Sequence, residues 1–400
     1  MAMKGFETVR QNSKSCSRIL DARNQGVNMF LSEMKATTLV CFWLLLCASV
    51  SAQTFSAKGQ LWGSRIVGDD AAEGRSSVET AMGYIPTLSL ARELSSDRLV
   101  DFEWAYRFSW NYSGEDLLSR SENPYRGWVR YSTPKMEARL GLQKIAFGPA
   151  QFLRPTSWFD TIDLRDPTGQ TDGVEAFRLR LFPSSSVALW SWAIKSDLDT
   201  LSYGGRAELS LAAGDWGITY HQDPEQRPQQ IGLFPVIMPG PQNRFALDYR
   251  HDGFIGFWFE GAALVSGNSD FPGFNRYSMA SVGGDFTVPV GNGVLLMTET
   301  MTIRGASSEH SETDGQTYTI LMASMPVGLL HQLMAVTQID WKNERMFHFF
   351  RWGITYDYFS INFLFSASPK RVDYDIPQSY LPASLAGFGS VLNLMLIYNH

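Results

Sequence analysis

From Phe55 onward the chain alternates apolar and polar residues with a period of two. The clearest run places Val100, Phe102, Trp104, Tyr106, Phe108, Trp110 and Tyr112 at every second position, with Asp101, Glu103, Ala105, Arg107, Ser109 and Asn111 between them. Successive side chains of a β-strand point to opposite faces, so this run predicts one aromatic face and one largely polar face. No stretch of a dozen residues after residue 55 keeps the 3.6-residue period of an amphipathic helix. About eighteen strands are predicted: 55–67, 79–91, 99–112, 125–132, 136–145, 173–182, 186–196, 203–212, 215–221, 243–250, 254–266, 276–288, 293–304, 316–325, 329–340, 345–356, 358–367 and 390–399, with sixteen as the other count.

The connections alternate in length. Long ones, 68–78, 113–124, 146–172, 222–242 and 368–389, follow odd-numbered strands. Short turns such as Thr133-Pro134-Lys135, Pro183-Ser184-Ser185, Ala213-Gly214, Asp252-Gly253 and Pro326-Val327-Gly328 follow even-numbered ones. A soluble sandwich has no reason to alternate this way. A bacterial outer-membrane barrel does, with long extracellular loops, short periplasmic turns and an even strand number. The expected fold is therefore all-β, a transmembrane antiparallel β-barrel over residues 53–400 whose closure leaves no unpaired edge in hydrocarbon. Trp62, Trp110, Tyr112, Trp128, Trp216, Trp341, Trp352 and Tyr398 fall near strand ends and fit interface girdles.

Two strands resist this reading. Glu299 lies between Met297 and Met301 on the more apolar face, and a bulge or a lumen-facing assignment would relieve it. His348 raises the same question among Met346, Phe350 and Trp352.

One uninterrupted apolar run, from Ala36 to about Ala48, is too short to span a bilayer as a helix. Preceded by Lys35 and followed by Val50-Ser51-Ala52, it predicts a signal peptide over 34–52, cleaved after Ala52. Residues 1–33 then form a non-structural extension, with Met29 or Met34 as the true start. Cys16, Cys41 and Cys47 all precede the cut, so no thiol chemistry is expected in the exported part. Taking six basic and three acidic residues from the 34 and 40 of the chain leaves 28 and 37, a net charge of −9. With no block of five like charges, nucleic acid is excluded as a partner. A mean hydropathy of −0.14 excludes a polytopic helical transporter.

The segment 139–181 carries Arg139, Gly141, Gln143, Gly148, Pro155, Phe159, Asp160, Asp166, Pro167, Gly173, Val174, Ala176 and Arg178. It resembles the stretch of alginate-export-type and related porin-like outer-membrane proteins in which an Arg-x-Gly-x-Gln strand precedes a Pro and Phe-Asp loop and a Gly-Val-x-Ala-x-Arg strand. The resemblance covers about a tenth of the chain and implies a single-chain barrel that passes small or polymeric hydrophilic solutes. Phe147-Gly148 stands where the family usually has Trp-Gly, and the chain ends Tyr398-Asn399-His400 without the terminal aromatic of many such barrels.

The connection 146–172 holds Arg154, Asp160, Asp163, Arg165, Asp166 and Asp172 among Phe152, Trp158 and Phe159. Long loops without regular structure are usually functional, and this one is expected to fold into the barrel and narrow it. Arg107, Arg126, Arg130, Arg139, Arg178 and Arg180 fall on the polar faces of neighbouring strands. They are expected to line the constriction opposite Asp160, Asp163 and Asp166 and to favour anions there. Equally open is that they pair with Asp101, Glu103, Glu137 and Glu175 to hold a polar interior together.

No histidine spacing supports a metal site, and no Ser, His and acidic constellation or Gly-rich phosphate loop is present, so an enzyme and a cofactor are not expected. The expected function is a porin for passive diffusion of small hydrophilic solutes. The alternative is a plugged barrel acting in surface-polysaccharide binding, export or assembly. Expected partners are outer-membrane lipids, lipopolysaccharide, the barrel assembly machinery and hydrophilic solutes or anions, with a homo-oligomer left open.

Overall fold

The computed structural model describes residues 53–196, 199–225, 227–231, 234–238, 241–267, 275–306, 315–374 and 377–400. The expected extension 1–33, the signal segment 34–52 and the cleavage point after Ala52 lie outside the described residues.

The strands, in chain order, are β1 (Gln53–Gly68), β2 (Val78–Ser95), β3 (Arg98–Ser113), β4 (Asp116–Thr133), β5 (Met136–Gln143), β6 (Val174–Ser184), β7 (Val187–Lys195), β8 (Leu201–Leu211), β9 (Gly214–Asp223), β10 (Arg227–Ile231), β11 (Phe234–Met238), β12 (Gln242–His251), β13 (Gly256–Ser266), β14 (Arg276–Val288), β15 (Val294–Ala306), β16 (Gly315–Val327), β17 (His331–Asp340), β18 (Arg345–Thr355), β19 (Phe359–Ala367) and β20 (Ser390–Asn399). Strands β10 and β11 form a separate hairpin within the connection from β9 to β12. The other eighteen make one antiparallel sheet that closes on itself where β1 pairs with β20, from Gln60 opposite Asn399 to Gly68 opposite Val391.

Alternation decides which residues face out. Leu61, Met82, Leu140, Phe177, Ile218, Phe245, Phe363 and Leu394 are exposed on the exterior, while Trp62, Arg178, Thr219, Glu260 and Met279 on the opposite strand faces are buried. A closed sheet with an apolar exterior satisfies its backbone internally and presents hydrocarbon with hydrocarbon.

The expected long connection 113–124 is not a loop. Gly114 and Glu115 alone join β3 to β4, and the strand continues through Leu117, Arg120 and Glu122. Its Ser, Asn and Pro content imitates a loop, but two bulges keep it paired. Ala105 is opposite Arg126 and Tyr106 opposite Pro124, leaving Tyr125 extra, and Leu118 is extra in the same way. A bulge tolerates the missing N–H of Pro124 and re-aims the side chains beside it.

Both resistant strands keep their register. Glu299 faces the lumen with no exposed surface. His348 lies on the outer face with Met346, Phe350 and Trp352, near the start of β18, with Nδ1 3.1 Å from the Thr337 hydroxyl.

Candidate functional site

Between β5 and β6 the chain runs through residues 144–173 and enters the barrel. Its first half is tethered to the far wall by two carboxylates. Glu299 accepts hydrogen bonds from the backbone N–H groups of Gln151 (2.6 Å), Phe152 (2.9 Å) and Leu153 (2.8 Å), and from Trp258 Nε1 (3.0 Å). Glu260 accepts from the N–H groups of Ala150 (3.0 Å) and Thr156 (2.7 Å) and from the Thr156 hydroxyl (2.6 Å). A buried loop must place its amide donors somewhere, and consecutive N–H groups in a turn form an anion-binding concavity. Here the anions belong to the wall. Gly148, at φ +87°, passes so close that a Cβ would lie 2.3 Å from Glu260 Oε2, so only glycine fits.

Between and beyond these tethers, apolar loop residues complete a core. Phe147 stacks on Trp192 at 5.7 Å, Phe159 meets His221 edge-on at 4.8 Å, and Trp192 Nε1 donates to His221 Nδ1 (3.2 Å). Leu153 and Trp158 join the same cluster, with Met297, Met301 and Ile303 behind them.

The second half returns along the opposite wall. Gln60 on β1 donates to Thr168 O (3.2 Å) and accepts from Gln170 Nε2 (3.1 Å). Thr171 N donates to the Tyr125 hydroxyl (3.1 Å), Arg126 donates to Thr171 O (2.7 Å), and Arg107 pairs with Asp172 at 3.1 Å. The bulge at Tyr125 turns that ring inward, and Arg126 stacks over it at 4.0 Å.

The six arginines expected on one stretch of wall are indeed on β3 to β6, but they divide in two. Arg107 and Arg126 hold the loop. Arg130, Arg139 and Arg178 lie opposite one another across β4, β5 and β6, with Arg180 two residues beyond. Arg130 makes a two-pronged contact with Asp101 (2.8 and 2.7 Å), and Glu137 receives Arg178 at 2.6 Å, Arg130 at 3.4 Å and Arg139 at 3.6 Å. Three guanidiniums thus share two carboxylates, and Arg180 pairs with neither. The surplus rests on rings: Arg139 lies 4.2 Å over Trp128, and Arg180 4.0 Å over Trp190.

The three loop carboxylates are not equivalent. Asp160 has no exposed side-chain surface and is covered by Arg154. Asp163 is 41% exposed and pairs with Arg165 (3.0 Å). Asp166 accepts from Thr168 N (2.8 Å) and Oγ1 (2.6 Å).

Sequence reasoning passed over Glu260, Arg206 and Arg244. Glu260 alternates with Trp258, Ala262 and Leu264, the same signal that drew attention to Glu299. Arg206 on β8 pairs with Asp248 on β12 across the intervening β9 (2.9 Å), and Arg244 on β12 pairs with Asp223 on the adjacent β9 (3.1 Å), both buried.

No protein-family model and no curated protein matches the chain in sequence. Among solved structures, OccK2 (OpdF) of Pseudomonas aeruginosa in complex with glucuronate superposes with a TM-score of 0.58 at 9% identity, covering 86% of this chain and 97% of that one. OmpF of Salmonella typhi in complex with daunomycin gives 0.51 at 8%, again covering 86% and 97%. The fold is that of an outer-membrane porin. At these identities the likeness lies in the porin fold alone, and the resemblance of residues 139–181 to alginate-export-type proteins gains no family match from it.

Proposed function

We propose that the protein is an outer-membrane channel for small hydrophilic solutes that favours anions at its constriction. The observation that carries this is the row Arg130, Arg139, Arg178 and Arg180, with its surplus of positive charge inside a closed barrel narrowed by a loop fixed at both ends. Low-dielectric walls focus that field along the lumen. OccK2, of the same fold, was solved with glucuronate, a carboxylate-bearing sugar. Residues 34–52 serve as the export signal in this reading, and the barrel reaches the outer membrane through the assembly machinery.

The second reading, a barrel that binds or assembles surface polysaccharide without conducting, is favoured by the loop's contact with both β13–β15 and β1–β4. Planar-bilayer conductance decides between them. Stepwise currents with a reversal potential on the anion side support the channel, and silent bilayers with a correctly folded protein overturn it.

A further inference from the structure

Arg351 on β18 points into the lumen, on the same strand face as Phe347 and Phe349. Among the described residues its side chain has no hydrogen bond, ion pair or ring contact. A guanidinium is always charged and carries five N–H donors, so this one offers a charge-assisted fork to any anion that reaches it. The opposite charge that reaches it is Asp166, at the turn of the loop, with no contact close enough for an ion pair. Thr168 fixes the Asp166 carboxylate and leaves it lone pairs to spare.

Asp166 lines a cavity of about 430 Å³, in the range of small-molecule sites, and Arg351 stands next to its wall, two residues along β18 from Phe349 and opposite Leu364. Asp163, Arg165 and Asp166 line the cavity on the loop side, Gln338 adds an amide, and Ile66, Val336, Phe347, Phe349, Leu364 and Met395 form its apolar wall. Arg351 is opposite Leu364, and Leu364 opposite Asn393, so cation, apolar side chain and amide share one cross-strand row. Asn393 Oδ1 is buried and has no hydrogen-bond partner. Ala386 and Gly387 line the extracellular side. Their loop is fixed by Arg371, which donates to Pro382 O (2.6 Å) and Ser384 O (2.7 Å), and by Glu79, which accepts from Leu385 N (3.0 Å). The cavity is therefore formed before anything enters, which lowers the cost of binding.

A sugar would lay most of its hydroxyl groups against the six apolar side chains, because Asp163 and Arg165 already pair with each other. A hydrocarbon would leave Arg351 and Asn393 unsatisfied. A carboxylate answers Arg351, an ammonium answers Asp166 and the Asn393 oxygen, and an apolar side chain answers the wall. We propose that this cavity is a binding subsite for free α-amino acids with apolar side chains, taken up as zwitterions. The proposal rests on the channel reading for the route by which they arrive.

The test uses the full-length protein in detergent for calorimetry and in planar bilayers for current block, with four probes: L-phenylalanine, 3-phenylpropionate, 2-phenylethylamine and glycine. Saturable binding and block are expected for phenylalanine, and binding at least about tenfold weaker for the other three, about 1.4 kcal/mol each. Arg351→Gln lowers phenylalanine binding at least about tenfold, Arg351→Lys retains part of it, and Asn393→Leu weakens it independently. Arg276→Gln, on the exposed face of β14, serves as the control. Equal binding of all four probes, or full phenylalanine binding by Arg351→Gln or, should that variant not fold, by Asn393→Leu, overturns the subsite. Silent bilayers with saturable, Arg351-dependent binding overturn the channel and keep the subsite. Open channels indifferent to the four probes do the reverse.

Discussion

Glu299 accepts hydrogen bonds from the backbone N–H of Leu153, 146 residues earlier in the chain, at 2.8 Å. This contact turns an acidic residue on an apolar strand face from a liability into the anchor of the constriction. Its two oxygens also serve Gln151 and Phe152, so one side chain satisfies three consecutive amides.

Replacing Glu299 with Ala leaves those three amides buried without acceptors, at a cost of about 1–3 kcal/mol for each unsatisfied group. Expected outcomes are a lower midpoint for conversion of the unboiled to the boiled gel form, new protease sensitivity within residues 144–173, and larger conductance steps. Glu299→Gln, which still offers one acceptor oxygen, should fall between. A variant with unchanged conductance and protease resistance would show that Glu260 and the aromatic cluster hold the loop alone.

Gly148→Ala tests the second tether. The φ of +87° and the 2.3 Å approach to Glu260 Oε2 oppose any Cβ. Backbone strain of this kind costs about 1–3 kcal/mol, with the displaced carboxylate adding to it. The expected result is loosening like that of Glu260→Gln, and the double variant should be less than additive because both changes break the same contact.

The strands were largely legible because side chains of a closed sheet alternate between an exterior that is apolar along most strands and a lumen of different composition; on β15 the polarity is reversed, with Met297, Met301 and Ile303 facing the loop inside the barrel. The predicted segments 276–288 and 390–399 coincide with β14 and β20. The pattern failed at 116–124, where Ser, Asn and Pro look like a loop, because a bulge lets Pro124 stay in a paired strand. The loop's entry into the barrel was legible from its aromatic residues, yet its tethers were not. Ala150 and Glu260 are 110 residues apart, and backbone N–H donors carry no sequence signature. The same limit hid the pairing of Asp160 with Arg154, which removes a candidate pore-facing charge from solvent.

Neutralising the surplus guanidiniums tests the anion preference. Arg139→Gln combined with Arg180→Gln leaves Arg130 and Arg178 matched to Asp101 and Glu137. The reversal potential in a salt gradient should move toward cation preference, and the shift should shrink as the Debye length falls from about 10 Å at 0.1 M to about 3 Å at 1 M salt. An unchanged reversal potential in a conducting double variant would mean that the ions pass elsewhere in the lumen.

Among the described residues of the extracellular loop 368–389, one buried cation, Arg371, gathers the backbone, with Glu79 as a second anchor. Arg371 is 2% exposed, donates to Asp70 O (3.1 Å), Pro382 O and Ser384 O, and lies 4.0 Å over Phe388. Three carbonyls in different directions suit a planar fork and not the compact ammonium of lysine. Arg371→Lys should therefore cost nearly as much as Arg371→Ala, about 2–4 kcal/mol of loop stability from lost charge-assisted hydrogen bonds. Because the strands pair independently of this loop, the barrel should keep its heat-modifiable migration while the loop becomes cleavable by protease added to intact cells. Cleavage at the wild-type rate in Arg371→Ala would show that Glu79 and the contact of Tyr374 with Phe388 suffice to hold the loop.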